Sequence, residues 1–354
     1  MKLALGVICL AFSFISGCSG KKEMENMEAS IPYSQPEVIV DELEVPWSIV
    51  QADGTYYITE RPGHIVKIEE GKKERQKVIL EKELATAAEA GLLGFVLAPD
   101  FSKTNEAFAY YTYKDSSGQF NRIVVLQLDH GVWKEKRLLL DRIPSGQYHH
   151  GGRLEIGPDS KLYATTGDAS FEPDIAQDVK SLGGKILRMN LDGSVPKDNP
   201  FPGLYVYSYG HRNPQGLAWG PDGNLYESEH GPSANDEINQ IQAGHNYGWP
   251  VIKGKEKQGG MEVPLFTSGD AQTWAPSGMV FHEGKLYVAA LRGSMVIEFN
   301  LKTGETREAI TGLGRIRDVF INGEYLYFIS NNTDGRGNPL KRDDKLYRIP
   351  LDIF

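Results

Sequence analysis

Residues 208–250 read SYGHRNPQGLAWGPDGNLYESEHGPSANDEINQIQAGHNYGWP. The middle of this stretch is a strand–turn–strand unit: Leu217-Ala218-Trp219, the turn Gly220-Pro221-Asp222-Gly223, then Asn224-Leu225-Tyr226. Proline presets φ in such a turn and glycine supplies the positive φ that ends it. Pro214 pushes Asn213 towards extended geometry, so His211-Arg212-Asn213 stands at the start of a strand and not in a helix. Glu229-His230-Gly231-Pro232 stands at the exit of the next strand, with backbone carbonyls that no ladder need use. A charged trio and a Gly-Pro loop can meet there at one mouth of a sheet, where loops on a rigid scaffold carry function.

Working outward, the same unit recurs from Val45 onward. An apolar triplet leads into a tight turn, often Asp-Gly or Pro-Asp; an aromatic-rich strand follows, then a polar loop and a further strand. The six copies begin at PWSIVQADGTYYITE, GLLGFVLAPDF, GRLEIGPDSKLYATTGD, GLAWGPDGNLYESEHG, GMVFHEGKLYVAAL and DVFINGEYLYFISN. Repeats spaced by roughly 40 to 60 residues, each with about four short strands, predict a β-propeller. A pair of β-sandwiches would show no internal repeat. The expected fold is therefore all-β, a six-bladed β-propeller over residues 37–354. Its last strand, LYRIPL, is expected to share a blade with N-terminal residues from Pro36 to Leu43. Glu81 to Glu89 is the best short helix candidate.

With 354 residues and 40% hydrophobic residues, the chain has ample material for a core. A net charge of -9 argues against a nucleic-acid surface, so an arginine cluster here points to a small anion. Residues 1–17 form a signal peptide: Lys2, then an apolar run from Leu3 to Ile15 that is too short to span a bilayer. The run ends in Ile15-Ser16-Gly17-Cys18, which resembles a bacterial lipobox. Lipidation at Cys18 would leave residues 18–36 as a polar tether and place the domain outside the cytoplasm, held to the membrane by its lipid anchor only. Cleavage there also removes Cys9, so the mature domain has no cysteine for a disulfide, zinc site or thiol nucleophile.

Four further groups depart from the repeat. His149-His150-Gly151-Gly152-Arg153 precedes the third unit, with glycines that permit close approach of backbone or ligand. A histidine there can be structural, or a general base near neutral pH. Thr166-Gly167-Asp168 ends the next strand, where Asp168 can form a turn or orient His149. Arg315 and Arg317 alternate onto one side of a strand, as surface charges or as bidentate grips on carboxylates. Asn235-Asp236-Glu237, followed by Tyr247, offers oxygen ligands of the kind calcium takes. There is no GxGxxG fingerprint, P-loop, HExxH or GxSxG in the sequence, so nicotinamide, ATP and serine-hydrolase chemistry have no support.

The chain resembles the soluble pyrroloquinoline-quinone-dependent glucose and aldose sugar dehydrogenases from about Val45 to its end. The motifs are PWSIVQADGTYYITERPG, GLLGFVLAPDF, HHGGRLEIGPDSKLYATTGD, GHRNPQGLAWGPDGNLYESEHGP, NDEIN with NYGWP, and RIRDV. The resemblance implies a six-bladed propeller that holds the quinone and calcium at one mouth and oxidises the anomeric carbon of an aldose to the lactone. It implies His149 as the base, Asp168 as the residue that orients it, and Arg212 as the cation that polarises the quinone. Asn213, Arg315 and Arg317 resemble cofactor ligands. The carbonyls of Gly231 and Pro232 resemble calcium ligands, and Glu237 and Tyr247 match a second calcium site. Two positions depart from the family pattern: Glu89 stands where glutamine is frequent, and Arg292 stands where a lysine ligand is expected. Two other functions fit the fold. A metal-dependent lactonase-like hydrolase would need a carboxylate and asparagine cage; a non-catalytic binding module would have lost the cofactor. The sugar, the electron acceptor and the oligomeric state are left open by the sequence.

Overall fold

The computed structural model describes residues 35–86 and 88–354. The signal peptide, Cys18 and nearly all of the tether lie outside the described residues. Among the described residues, no helix is long and apolar enough to cross a membrane.

Short antiparallel strands follow one another in groups of four. After β1 (Glu37–Val40) come β2 (Pro46–Ala52), β3 (Thr55–Glu60), β4 (His64–Glu69) and β5 (Lys72–Ile79), then β6 (Leu92–Leu97), β7 (Glu106–Asp115), β8 (Gly118–Asp129) and β9 (Val132–Pro144). Parallel pairing of β5 with β9, Lys77 opposite Val132, joins these two meanders into one eight-stranded sheet. Three four-stranded sheets follow. They are β10 (Leu154–Ile156), β11 (Leu162–Thr166), β12 (Lys185–Met189) and β13 (Val206–Tyr209); β14 (Pro214–Trp219), β15 (Leu225–Glu229), β16 (Glu237–Ile241) and β17 (Phe266–Thr267); and β18 (Pro276–His282), β19 (Lys285–Ala290), β20 (Met295–Asn300) and β21 (Thr306–Thr311). The last sheet takes β22 (Ile316–Asn322), β23 (Tyr325–Ser330) and β24 (Leu346–Pro350) and is completed by β1, with Glu37 opposite Arg348. The N-terminal segment thus pairs with LYRIPL.

Local sequence explains the hairpins. Asp53-Gly54, Glu70-Gly71, His130-Gly131 and Glu283-Gly284 each join two strands with both φ values positive. That is the mirror-image turn whose twist matches the strands, and its second residue favours glycine. Alternation along the strands then leaves one apolar row on each face of a sheet. Six apolar clusters fill the seams between consecutive groups. One, for example, packs Tyr57 and Ile65 against Phe95, Tyr111 and Trp133; another packs Val40 and Leu346 against Ile49 and Ile58. Trp133 is fully buried, and truncating such a side chain costs about 3–5 kcal/mol. The leading strands touch in a closed series: β2 packs on β6, β6 on β10, β14 on β18, β18 on β22 and β22 on β2, with β11 against β14.

Several leading strands begin with a register shift: β2, β6, β14, β18 and β22 each carry one near the first residue. A bulge re-aims the side chains beside it. Here they turn to the centre of the ring, where Arg153 bonds Asp318 at 2.9 Å and lies 4.5 Å from the centre of the Trp47 ring. This buried pair ties the third group to the sixth.

The helix expected over Glu81 to Glu89 is not formed among the described residues. Leu84 instead makes a bridge with Tyr113, and Ala85 donates to the Thr112 carbonyl. An open sheet edge beside β7 satisfies the backbone better than an isolated helix of two turns can.

Candidate active site

The loop between β9 and β10 turns sharply at His149, whose φ is 61°. It lies against the loop that follows β11 so closely that a Cβ on Gly167 would sit 2.0 Å from the His149 carbonyl oxygen. Only glycine permits this approach. It brings His149 Nδ1 to 2.6 Å from Asp168 Oδ1. Asp168 is nearly fully buried, yet its carboxyl lies below the usual value. Burial pushes it up, but the His149 bond and the donors Ser170 N–H and Trp249 Nε1–H pull it down further. With Nδ1–H committed to a carboxylate, Nε2 is left as the free acceptor. The neighbouring His150 is buried at 2% exposure against Ser145 and Asn121, and burial lowers its pKa to about 4. Of the two adjacent histidines, His149 lines the open cavity.

Arg212 faces this pair from the loop between β13 and β14. Its backbone carbonyl accepts from Asp168 N–H at 2.9 Å, and its own N–H donates to Glu229 Oε2 at 2.7 Å. Its guanidinium donates to the His230 carbonyl at 3.1 Å and lies 5.3 Å from the Trp249 ring centre. Asn213 is fully buried, and its Oδ1 accepts from Gly151 N–H at 3.1 Å.

A cavity of about 550 Å³ opens over these residues, with Glu89, His149, Arg212, Arg292, Arg315 and Arg336 in its wall. Arg315 pairs with Asp334 at 2.8 Å, while Arg292 is exposed. Glu89 takes the His149 backbone N–H at 3.1 Å and the Arg336 guanidinium at 2.6 Å. Burial would raise the Glu89 carboxyl, but the charge of Arg336 brings it to about 2. The charge that departs from the family pattern is therefore neutralised in place. Arg317 does not share the open wall with Arg315. The register shift at the start of β22 sends it inward, where it donates to Gln215 Oε1 at 2.8 Å and lines a smaller cavity with Trp47, Glu89 and His150. Burial lowers its pKa to about 9, which leaves it charged at neutral pH.

Beneath Arg212 lies a second cavity of about 10 Å³ that brings together Gly231, Pro232, Glu237 and Tyr247, with Glu229 beside them. That volume suits one small occupant. Asp236, in the wall of the large cavity, holds the neighbouring loop: its carboxylate accepts from Gly231, Trp274 and Ala275 N–H and from the Thr273 hydroxyl. The Tyr247 hydroxyl is spent on Gln240 and Gln242, which leaves its carbonyl as the possible ligand. Glu227, Glu229 and Glu237 all reach one amide, Asn239 Nδ2, at 3.1, 3.4 and 3.3 Å. Burial and then the Glu229 charge raise Glu237 to about 8 and push Glu227 well above its usual value. His211, Glu227 and Glu229 present ligand atoms within 4.8 Å of one another.

From the sequence, Trp249, Arg336 and Glu227 carry no assigned role, and Glu229 stands only as part of a strand exit. Glu227 and Glu229 alternate with Ser228 on β15 and carry a period-two signal. Arg336 sits in a loop outside the repeat and carries none.

The all-β ring thus presents a carboxylate-paired histidine in a cation-walled mouth, the arrangement of an enzyme site. The glucose/sorbosone dehydrogenase family model matches residues 43–347, and the chain belongs to that family. It is 37% identical over 257 residues to quinoprotein glucose dehydrogenase B of Acinetobacter calcoaceticus, a match that spans 63% of this chain and 54% of that protein. It is 32% identical to an aldose sugar dehydrogenase of Escherichia coli, over 84% of this chain and 90% of that one. The solved quinone-bound aldose sugar dehydrogenase of Streptomyces coelicolor superposes with a TM-score of 0.83 at 35% identity, over 89% of this chain and 96% of that one.

Proposed function

We propose that the chain is a quinoprotein that oxidises aldose sugars at the anomeric carbon, with pyrroloquinoline quinone and calcium in the mouth of a six-bladed β-propeller. The carrying observation is the 2.6 Å bond from His149 to Asp168 in the wall of the arginine-lined cavity. The six seam clusters and the closed series of leading strands support the blade count.

The donors present fit a polycarboxylate. Arg212 Nε, Arg315 Nε, Arg317 Nε, Asn213 Nδ2 and His230 Nε2 are buried with no partner in the protein. Buried donors cost free energy when unpaired, so Arg212 and Arg315 in the wall of the mouth, with Arg317 in the adjoining cavity that shares Glu89, call for an acceptor-rich ligand. Arg315 and Arg317 would hold the quinone carboxylates and Arg212 its reacting edge, with Asn213 as a further donor. Arg292 is positioned to add long-range attraction. Among the described residues the Gly231 and Pro232 carbonyls receive no hydrogen bond, which suits them to calcium. Glu237 and the Tyr247 carbonyl would hold the second calcium.

When bound, the quinone would supply a hydride acceptor and calcium a polarising charge beside it. The protein's part is proton handling. His149 Nε2 takes the proton of the anomeric hydroxyl, and Asp168 keeps Nδ1–H in place and stabilises the imidazolium that forms. Arg212, held by the His230 carbonyl and Trp249, supplies fixed positive charge where negative charge develops.

The test is reconstitution of purified apoprotein with the quinone and calcium, followed by dye reduction with a panel of aldoses. Quinone-dependent aldose oxidation is expected; a protein that binds no quinone would support the binding-module reading. We also propose that Cys18 is lipidated and holds the domain outside the cytoplasm. Cys18→Ser should then move the protein from the membrane to the soluble fraction, and unchanged fractionation refutes the anchor.

A further inference from the structure

We infer that Trp249 is a positioning residue that locks the base and the arginine of the site into one rigid unit. The inference rests on the proton-transfer role proposed for His149. Trp249 Nε1–H donates to Asp168 Oδ2 at 2.8 Å, the carboxylate oxygen that His149 does not use. The face of the same indole supports the Arg212 guanidinium at 5.3 Å. A single side chain therefore touches both groups that the chemistry needs aligned.

The indole is itself held from behind. The Trp249 N–H donates to the Gly210 carbonyl at 2.9 Å, two residues before Arg212. Its carbonyl accepts from Gln177 Nε2 at 2.7 Å, and Gln177 also grips Asn246. Gln177 follows a short turn whose carbonyls, from Ile175 and Ala176, receive the buried Lys185 ammonium at 2.8 and 3.0 Å. The ring is thus fixed at both backbone ends before it reaches the site.

The physical consequence lies with the carboxylate. A carboxylate bound through one oxygen can swing about its Cβ–Cγ bond; one bound through both cannot. Holding Oδ2 aims Oδ1 at His149 and so fixes the imidazole's angle to the cavity. Small errors in the placement of a catalytic group cost up to about a hundredfold in rate.

Trp249→Phe keeps an aromatic ring beside Arg212 and deletes the donor. Turnover at saturating quinone should fall about tenfold while the quinone Kd stays within about twofold. In the apoprotein, the proton resonance of the His149 Nδ1–H bond should move upfield or broaden. Trp249→Leu removes the ring face as well and should add a loss of quinone affinity. In a double-mutant cycle, Trp249→Phe should have no further effect on turnover in an Asp168→Asn background. This cycle keeps the test valid if the single variant is less stable. The inference is overturned if Trp249→Phe leaves both turnover and the resonance unchanged, or if its effect persists undiminished beside Asp168→Asn. A parent that shows the resonance but binds no quinone overturns the functional reading and not the coupling of indole to carboxylate.

Discussion

Two polar regions meet at Arg212 and are built in opposite senses. Above it, the 550 Å³ mouth has cations in its wall and buried donors without partners: Arg212 Nε and Arg315 Nε. Below it, the small cavity has carboxylates at its back, and Glu227 Oε1 is a buried acceptor without a partner. A folded chain rarely leaves either kind unpaired, because each unpaired group keeps its desolvation cost. The two imbalances are complementary to an anion and a cation, which is how a tricarboxylate quinone and calcium would sit together. Neither region alone points to the pair.

The largest expected effect separates chemistry from grip in the upper region. His149→Gln retains volume and polarity but cannot take a proton at neutral pH, so turnover should fall by about 10²–10⁴. Quinone affinity, measured by calorimetry, should stay close to the parent's. Parent-like turnover in this variant would remove His149 from the mechanism.

The lower region predicts a calcium effect with a defined pH dependence. Without metal, burial and the Glu229 charge raise Glu237 from 4.5 to about 8. A carboxyl raised in the folded state binds more protons folded than unfolded between those values, so its contribution to stability is lost as pH rises through that window. The melting temperature of metal-free protein should therefore fall between about pH 5 and pH 8, and calcium should restore most at the upper end. Calcium at about a hundred times its Kd contributes about 2.7 kcal/mol, and magnesium should do less. Glu237→Gln should flatten the pH dependence and remove the share of the calcium response that belongs to the second site, leaving that of the Gly231 and Pro232 carbonyls. A calcium stoichiometry that is unchanged in this variant, measured by calorimetry, would place the second cation elsewhere.

Arg315→Ala should weaken quinone binding about ten- to a hundredfold, the worth of a charge-assisted bond, while saturating quinone rescues part of the rate. A rate that stays low at saturation would instead assign Arg315 to the chemistry. The smallest effect belongs to the rim. Arg336→Gln breaks a partly exposed pair with Glu89 and should change the sugar KM by at most about fivefold. A larger change would make the Glu89–Arg336 pair a direct substrate contact.

The repeat was legible because it is local. Hairpins such as Asp53-Gly54 and Glu283-Gly284 depend only on which residues tolerate positive φ, and strand alternation depends only on neighbours. His149, Asp168 and Arg212 stood out for a related reason: each interrupts the repeat at a strand end beside glycine or proline. Glu81 to Glu89 misled because its helix-forming composition ignored the open edge at Tyr113, a partner far along the chain. Arg317 lies further inward than strand alternation alone implies, because alternation assumes a regular ladder and β22 begins with a register shift.

The sequence by itself determined the all-β repeat and the side chains able to carry chemistry at its strand ends. Only the tertiary structure decided which of those residues meet. His149 rather than His150 faces the mouth because the loop turns at a positive φ and Gly167 admits it. Glu89 is neutralised because Arg336, 247 residues away, reaches it. Trp249 reaches Asp168 across 81 residues. Such contacts arise from ring closure, which brings distant strand ends to one axis, and no periodicity along a single strand encodes that distance.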